Sequence, residues 1–103
     1  MANYLLLYHG GGMPETEEDK RKFMAAWDEW IKQFGDSLVD VGNPTADVQT
    51  VSQSGIAAFF GDRVTGYSIV KADAMEDALR HAQTLPLVDA GGSVDVYETF
   101  NAM

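Results

Sequence analysis

One of the two histidines of the chain, His9, stands where a side chain can take part in acid–base chemistry. It ends a strand-like run over residues 3–9 and is followed directly by Gly10, Gly11 and Gly12. An imidazole gains and loses a proton near neutral pH, and functional side chains commonly project beside loops. We therefore predict that any small-molecule site includes His9. The competing interpretation is that His9 only hydrogen-bonds the local backbone.

The run at residues 9–12 (HGGG) is similar to the oxyanion loop of lipases and esterases, where glycines let backbone N–H groups point at a developing negative charge. Such an enzyme also needs a nucleophile elbow of the form G-x-S-x-G. The only similar run, residues 66–70 (GYSIV), lacks the second glycine. We therefore interpret the three glycines as a turn between a strand and a helix.

Metal and cofactor chemistry find little support in the sequence. The chain has no cysteine, which excludes thiolate metal sites and disulfides, and its two histidines and 16 acidic residues show no ligand spacing. The phosphate-binding patterns GxGxxG and GxxxxGK[ST] are both absent. We predict neither a metal site nor a cofactor. His81 follows Asp77 by one helical turn, and we expect a solvated pair there.

Large apolar side chains follow the spacing of one helical stripe at Phe23, Trp27, Trp30, Ile31 and Phe34. The spacing favours a helix packed on a sheet, although such a set can also line a pocket for an apolar or aromatic ligand. Indole rings are seldom fully buried, so Trp27 and Trp30 stay candidate ligand-binding residues. Tyr67 is a further candidate, because it neighbours His9 if their two strands pair.

Turn residues divide the remaining chain into strand and helix patterns. Strands are predicted over residues 3–9, 37–41, 66–71 and 94–99, together with one broken strand made of 48–52 and 56–60. The first helix is expected to begin after Thr16 and to end at Gly35. In the last strand Asp95 and Tyr97 share one face, which either is solvated at a sheet edge or points into a cavity.

A second helix is expected to open at Asp73, with Glu76 three residues later as in a capping box, and to end at Pro86. Glu76 can also pair with Arg80 across one turn. The apolar stripe of this helix comprises Met75, Ala78, Leu79 and Ala82.

The resulting order is typical of an α+β domain, a ferredoxin-like βαββαβ sandwich with both helices on one face of the sheet. Residues 3–9 carry apolar side chains on both faces of the strand, so the face without helices also needs a cover. The same face of a second copy can supply it. We therefore expect a homodimer built from a single domain over residues 1–103.

Net charge narrows the choice of partners. Sixteen acidic residues against seven basic ones give a formal charge of -9 and an isoelectric point near 4.3. This sign opposes binding to phosphate backbones, so we predict no nucleic-acid partner and no anionic membrane surface. The first residues show neither a basic segment nor a long apolar run, so we expect no signal peptide or membrane span there and predict a cytoplasmic location.

Taken together, several runs of the chain resemble the YCII-related family, and within it the branch of DGPF-domain proteins. The runs are 4–8 (YLLLY), 41–44 (VGNP), 66–70 (GYSIV), 76–79 (EDAL), 85–86 (LP) and 91–96 (GGSVDV). This resemblance covers essentially the whole chain. It implies a ferredoxin-like domain that pairs with a second copy into a dimeric α/β barrel.

The chain also departs from that family in ways that bear on function. The Asp-Gly-Pro-Phe signature of the branch is absent, and the loop over residues 55–65 is shorter than usual. Family members proposed to act through a His-Asp pair would place the histidine in the first helix and the aspartate before the proline. Here the first helix has no histidine, and Leu85 precedes Pro86. The resemblance therefore implies a fold and a dimer but no active site.

Two functions stay open on the sequence alone. The leading hypothesis is a domain that handles a small molecule, either as an enzyme or as a binding module, in a cleft between the sheet and the helices of each subunit. The alternative is a non-catalytic interaction domain whose main act is dimerisation. The sequence leaves the substrate and any reaction type open.

Overall fold

The computed structural model describes residues 1–11 and 14–102, so part of the predicted glycine turn lies outside the described residues. Within them, a 3₁₀ turn at Gly35–Ser37 joins the first helix to the second strand. The strands and α-helices are, in chain order, β1 Ala2–His9, α1 Glu17–Phe34, β2 Leu38–Asp40, β3 Gln49–Ser52, β4 Gly55–Ala58, β5 Gly66–Ala72, α2 Met75–Gln83, α3 Pro86–Asp89 and β6 Ser93–Glu98.

The main sheet has the strand order β2-β5-β1-β6, and each neighbouring pair is antiparallel. Strands β1 and β2 therefore run parallel with β5 between them, which is the split βαβ arrangement of a ferredoxin-like domain. β1 lies in the centre of the sheet, bonded on both sides. The prediction of a mixed α+β domain with this sheet is confirmed at the level of the single chain.

Helix α1 forms where the sequence predicts it. The Thr16 hydroxyl accepts a hydrogen bond from the backbone N–H of Asp19 at 3.1 Å, and acidic side chains fill the first turn. At the other end Gly35 has φ +40°, and its N–H bonds to the carbonyl of Ile31. Both ends of α1 are thus fixed by local chemistry.

The helices cover only one face of the sheet. Under them lie the buried side chains of Tyr4, Leu6 and Tyr8 from β1 and Val70 from β5. Ala78 and Ala82 of α2 are buried against the sheet, as predicted, because their small side chains let the helix approach closely. The molecule measures only 18 Å in its shortest dimension, which is about the thickness of one helix layer on one sheet.

Successive strand residues alternate, so a second set of side chains points away from the helices. We call this side of the main sheet the open face. None of its residues belongs to the buried core cluster, and those in the middle of the face are mostly apolar. It comprises Asn3, Leu5, Leu7 and His9 of β1, Tyr67, Ile69 and Lys71 of β5, and Ser93, Asp95 and Tyr97 of β6.

The prediction of one broken third strand is wrong. Strands β3 and β4 pair with each other as a hairpin, with Val51 opposite Ile56, and they form their own two-stranded sheet. Only two residues separate Ser52 from Gly55, and Gly55 has φ +117°, a conformation that side chains other than glycine rarely adopt. The chain therefore reverses over Gln53 and Ser54, directly before Gly55, instead of continuing as one bulged strand.

Helix α2 begins later than predicted. Its N-cap is Ala74 and makes no side-chain hydrogen bond, so the capping box of Asp73 and Glu76 is absent. Arg80 pairs with Asp77, three residues before it, rather than with Glu76, four residues before it.

The apolar stripe and the end of α2 also differ from the prediction. Met75 and Leu79 are exposed, because α2 contacts the sheet through its two buried alanines. The helix ends at Gln83, and Pro86 begins α3 instead of ending α2. Proline fits this place because the first turn of a helix does not need its N–H.

Helix α1 is the longest helix in the described part of the chain. It carries too many charged side chains to cross a lipid bilayer, and the remaining described helices are too short.

A buried hydroxyl chain under α1 ties β1 and β5 to the segment that follows β2. Tyr8 donates from its hydroxyl to Ser68 Oγ at 2.5 Å, and Ser68 Oγ donates to the carbonyl of Val41 at 2.7 Å. Burial raises the pKa of Tyr8 from 10.0 to about 12, and the hydrogen bond with Ser68 opposes this shift. The phenol therefore stays protonated in the folded chain well into the alkaline range.

Replacing Tyr8 with Phe is expected to reduce the loss of stability at high pH. The unfolded phenol loses its proton near pH 10 and the folded one near pH 12, so the stabilisation is complete below pH 10 and is lost as the pH rises toward 12. Relative to about pH 9, wild type at pH 11 should lose about 1.4 kcal/mol more than Tyr8→Phe in urea unfolding. The exposed Tyr97→Phe serves as control and should behave as wild type; equal losses in all three proteins would contradict the prediction.

Candidate functional site

His9 lies on the open face, where both nitrogens of its ring are held. Nδ1 is 3.1 Å from the backbone carbonyl oxygen of Arg63, and Nε2 is 2.9 Å from Oδ2 of Asp95. The side chain of His9 is 14% exposed, whereas that of Asp95 is 58% exposed. A mostly buried imidazole thus sits beside a carboxylate that a ligand can reach.

The partners of His9 define which nitrogen carries a proton. A backbone carbonyl only accepts, so Nδ1 donates to Arg63 and keeps its hydrogen. Nε2 is then the nitrogen that faces an oxygen of Asp95. The imidazolium form satisfies both contacts, because it donates from both nitrogens. The arrangement therefore leaves one exchangeable proton between Nε2 and Oδ2.

Two strands and one loop bring these groups together. In the pairing of β1 with β6, Leu7 lies opposite Asp95 and His9 opposite Ser93, so His9 and Asp95 are diagonal neighbours on one face. The segment before β5 brings the Arg63 carbonyl to the other side of the ring. A hydrogen bond of 2.7 Å from Thr65 N–H to the Tyr8 carbonyl holds that segment in place.

Sequence reasoning found His9 but not its two partners. It placed Asp95 beside Tyr97 on one face of the last strand and did not connect it with His9. The only signal was an acidic side chain between two valines in that strand, and such a signal does not give the register against β1. The contribution of Arg63 is its backbone carbonyl, which leaves no side-chain signature in a sequence.

Apolar side chains flank the pair on the open face. In the register of the sheet Leu7 lies between Tyr67 on β5 and Asp95 on β6. Tyr67 therefore shares a face with His9, and the strand pairing on which that prediction depended is present. Leu7 and Tyr67 thus place an apolar surface beside the Asp95 carboxylate.

The structure does not bring Trp27 and Trp30 to this site, because both project from α1 onto the opposite face of the sheet. Trp30 is 2% exposed, and its Nε1–H lies 3.0 Å from Thr84 Oγ1 and 3.2 Å from the carbonyl of His81. Trp27 packs edge-on against Tyr8 and Trp30. These rings fill the space between sheet and helix, where the sequence had suggested a cleft.

His81 does not form the expected solvated pair with Asp77. Its ring packs on Phe34 with 4.1 Å between centroids, and Nδ1 is buried without a hydrogen-bond partner. Burial lowers the pKa of His81, and the positive charge of Arg80 contributes less. That prediction is wrong because α2 packs beside the end of α1, so this side of α2 is not free.

Two surface depressions lie on the helix side of the molecule. One of about 420 Å³ is bordered by Lys71, Arg80 and His81, and one of about 450 Å³ by Phe23 and Trp30. Neither contains His9 or Tyr67. In the part of the chain that the structure describes, no group of three or more His, Asp or Glu side chains is placed to bind a metal ion.

The fold and the site together define a small α+β domain with a ferredoxin-like sheet that carries a His-Asp pair on its open face. No family model and no curated protein matches the sequence. Among solved structures, the chain is similar to 5-chloro-2-hydroxyhydroquinone dehydrochlorinase from Burkholderia phenoliruptrix AC1100, in complex with 2,5-dihydroxybenzoquinone. The TM-score is 0.60 at 15% identity, over 99% of this chain and 96% of that chain. This similarity supports a relationship in fold only. Membership of the YCII-related family stays a prediction.

Proposed function

We propose that this chain binds a small organic molecule on the open face and exchanges a proton with it through His9 and Asp95. The observation that carries the proposal is the anchored imidazole. Its Nδ1–H is fixed on the Arg63 carbonyl and its Nε2 faces an exposed carboxylate. An interaction domain without a ligand has no need for this arrangement, because a simple apolar side chain at position 9 would cover the sheet equally well.

The surroundings favour a flat ligand that bears a hydroxyl group. Leu7 and Tyr67 offer an apolar surface, while Asp95 offers the polar end at which a hydroxyl can donate. When the ligand O–H bond breaks, its proton passes to the Asp95 carboxylate, its electron pair stays on the ligand oxygen, and His9 is the imidazolium throughout. The imidazolium then stabilises the negative oxygen. The dihydroxyquinone in the structural neighbour belongs to this class of molecule, which supports the choice.

We further infer that the chain is a single YCII-related, DGPF-like domain that forms a homodimer, with the two open faces turned toward each other as a dimeric α/β barrel. The apolar side chains on the open face support this pairing, because a face of this kind is seldom left to water. A second copy would also enclose the His9–Asp95 pair. Exclusion of water strengthens the interaction of the pair with a ligand.

Replacing His9 with Ala or Gln is expected to weaken ligand binding about tenfold or more, which is about 1.4 kcal/mol or more. The melting temperature should stay close to that of the wild type, because the ring lies outside the buried core. The probes are 2,5-dihydroxybenzoquinone and a panel of hydroxylated aromatic compounds, screened by thermal shift and then titrated by calorimetry. Asp95→Asn should weaken binding similarly, since the amide nitrogen donates where the carboxylate oxygen accepted.

His81→Gln provides the matched control. It removes the other histidine, on the helix side of the sheet, and should bind the probes as the wild type does. If no probe stabilises the wild type, or if the His9 variants bind as well as the wild type, the small-molecule proposal is wrong and the dimerisation domain becomes the better description.

A further inference from the structure

The β3–β4 hairpin extends away from the rest of the domain. Its base is fastened by hydrogen bonds from Thr45 N–H to the Thr65 carbonyl, 3.0 Å, and from Arg63 Nη2 to the Ala46 carbonyl, 2.5 Å. From Thr45 to the turn the chain runs for about eight residues, or about 25 Å of extended strand. We call residues 48–61 the arm.

The arm has one apolar face and one polar face. Val51 and Ile56 lie opposite each other and are 77% and 72% exposed. The alternate residues, including Thr50 and Ser52, point to the other face. Phe60, close to the base, is 99% exposed. An isolated hairpin is at best marginally stable in water, so this apolar face needs a surface to cover it.

Charge makes a second copy of the chain the favoured partner surface. The arm contains no acidic, basic or histidine side chain, although the whole chain carries a net charge of -9. Two copies repel each other wherever their acidic surfaces approach, and an uncharged segment avoids that repulsion. Leu5, Leu7, Tyr67 and Ile69 in the middle of the open face are likewise uncharged, although Asp95 lies opposite Leu7 and Asp40 opposite Ile69.

The arm does not lie on the open face of its own chain, because Val51 and Ile56 are 77% and 72% exposed. Its base bonds hold it as a continuation of the sheet edge, directed beyond the end of β1 near His9. A fold back over its own sheet would break the bonds of Thr45 and Arg63. In a symmetric pair, each arm can instead reach the other copy, so that both apolar arm faces are buried reciprocally.

We propose that the apolar face of the arm, centred on Val51 and Ile56, packs on the open face of a second copy and helps to enclose its ligand site. This inference rests on the pairing of two copies proposed above. It adds a structural element that the pairing of two flat sheets does not require. The arm then acts as the part of one subunit that closes the site of the other.

Photo-crosslinking can locate the contact, because the chain has no native cysteine. Ile56→Cys is labelled with benzophenone maleimide, mixed with wild type grown in ¹⁵N, which carries no thiol, and irradiated. We expect adducts on ¹⁵N peptides that contain residues 3–9, 66–71 or 93–98. Thr50→Cys, which places the label on the polar face of the arm, should give about fivefold fewer such adducts, since that face points away from the contact.

Other adduct patterns contradict the inference. Adducts within the labelled chain would mean that the arm folds back, and adducts on the partner arm would mean edge-to-edge pairing. Adducts on the helices, or none at all, would likewise overturn it. If light scattering still gives twice the 11.3 kDa chain mass in these cases, the pairing stands and only the role of the arm is wrong. A chain that stays monomeric at micromolar concentration overturns both the pairing of two copies and the role of the arm. Probe binding at His9 is measured separately and tests the proposed function.

A double substitution gives a second readout of the same contact. Val51→Ser with Ile56→Ser should raise the dimer dissociation constant about tenfold or more in sedimentation experiments. The far-ultraviolet circular dichroism should keep its wild-type shape, because the arm lies outside the core. The control, Thr50→Ser with Ala57→Ser on the other face, should dimerise as the wild type does; equal dissociation constants for the two double variants would contradict the proposal.

Discussion

Trp30→Ala should lower the free energy of unfolding by about 3–5 kcal/mol, the usual cost of deleting a fully buried large aromatic side chain. Trp30 is the buried residue of α1, and its ring packs against Trp27 and Phe34. The substitution opens a cavity where the helix meets the sheet. Because small domains are stable by only about 5–15 kcal/mol, urea unfolding should show a large shift of the transition.

Trp30→Phe is the matched control for this substitution. It keeps most of the ring volume but removes the indole N–H, which lies near Thr84 Oγ1 and the His81 carbonyl. Thr84 Oγ1 also donates to that carbonyl at 2.8 Å, so these groups keep a partner. We expect a loss of about 1–2 kcal/mol and unchanged probe binding. Weaker binding by the folded Trp30→Phe would show that the ligand lies on the helix side, against the proposed site.

Gly42→Ala should lower the free energy of unfolding by about 3 kcal/mol or more, because two separate costs add. Gly42 has a backbone φ of +77°, which residues other than glycine adopt only with strain. A Cβ atom there would also lie 1.7 Å from the backbone carbonyl oxygen of Tyr67. The oxygen belongs to a central sheet strand and cannot move aside cheaply. Urea unfolding followed by circular dichroism measures the change.

Gly91→Ala separates the two costs. Gly91 also has a positive φ, +91°, but no heavy atom lies within 4 Å of the position that an alanine methyl group would take. It should therefore show only the backbone strain, about 1–2 kcal/mol. If Gly42→Ala and Gly91→Ala lose equal stability, the close passage over Tyr67 is not a significant constraint on the fold.

The close approach of Gly42 to the Tyr67 backbone also affects the positions of the candidate site and of the arm. By crossing close to the Tyr67 backbone, the chain places Asn43 so that its carbonyl accepts from the Tyr67 N–H at 3.3 Å. Pro44 then bridges to Gly66, and the base of the arm begins directly afterwards. The position of Arg63, which holds the His9 ring, depends on the same strand ends.

The two faces of the sheet thus have different roles, one in stability and one in the proposed binding. On the helix side the aromatic side chains of α1 and the hydroxyl of Tyr8 are buried, and their replacement is expected to cost stability. On the open face His9 and Asp95 contribute little to the core, and their replacement is expected to cost binding. Substitutions on the two faces therefore distinguish these two kinds of loss.

Local chemistry was enough to predict β1, α1 and β5 and their order in a βαββαβ domain. The alternation of β1, the cap at Thr16 and the glycine at position 35 act between residues close in sequence, so they can be read from the chain directly. His9 could be singled out in the same way, because it ends a strand before glycines. The tryptophans could be assigned to a helix face, but their spacing did not separate a core from a pocket.

Contacts between distant residues could not be predicted in this way. The pairing of His9 with Asp95 spans 86 residues and depends on the register of β1 against β6, which no local pattern encodes. The reversal at Gly55 depends on a positive φ that a bulge and a turn can both require, so the hairpin was interpreted as one strand. His81 was assigned to solvent because the packing of α2 beside Phe34 is a tertiary contact. The side chains near a site can be found from the sequence, whereas their partners follow only once the strands and helices have packed.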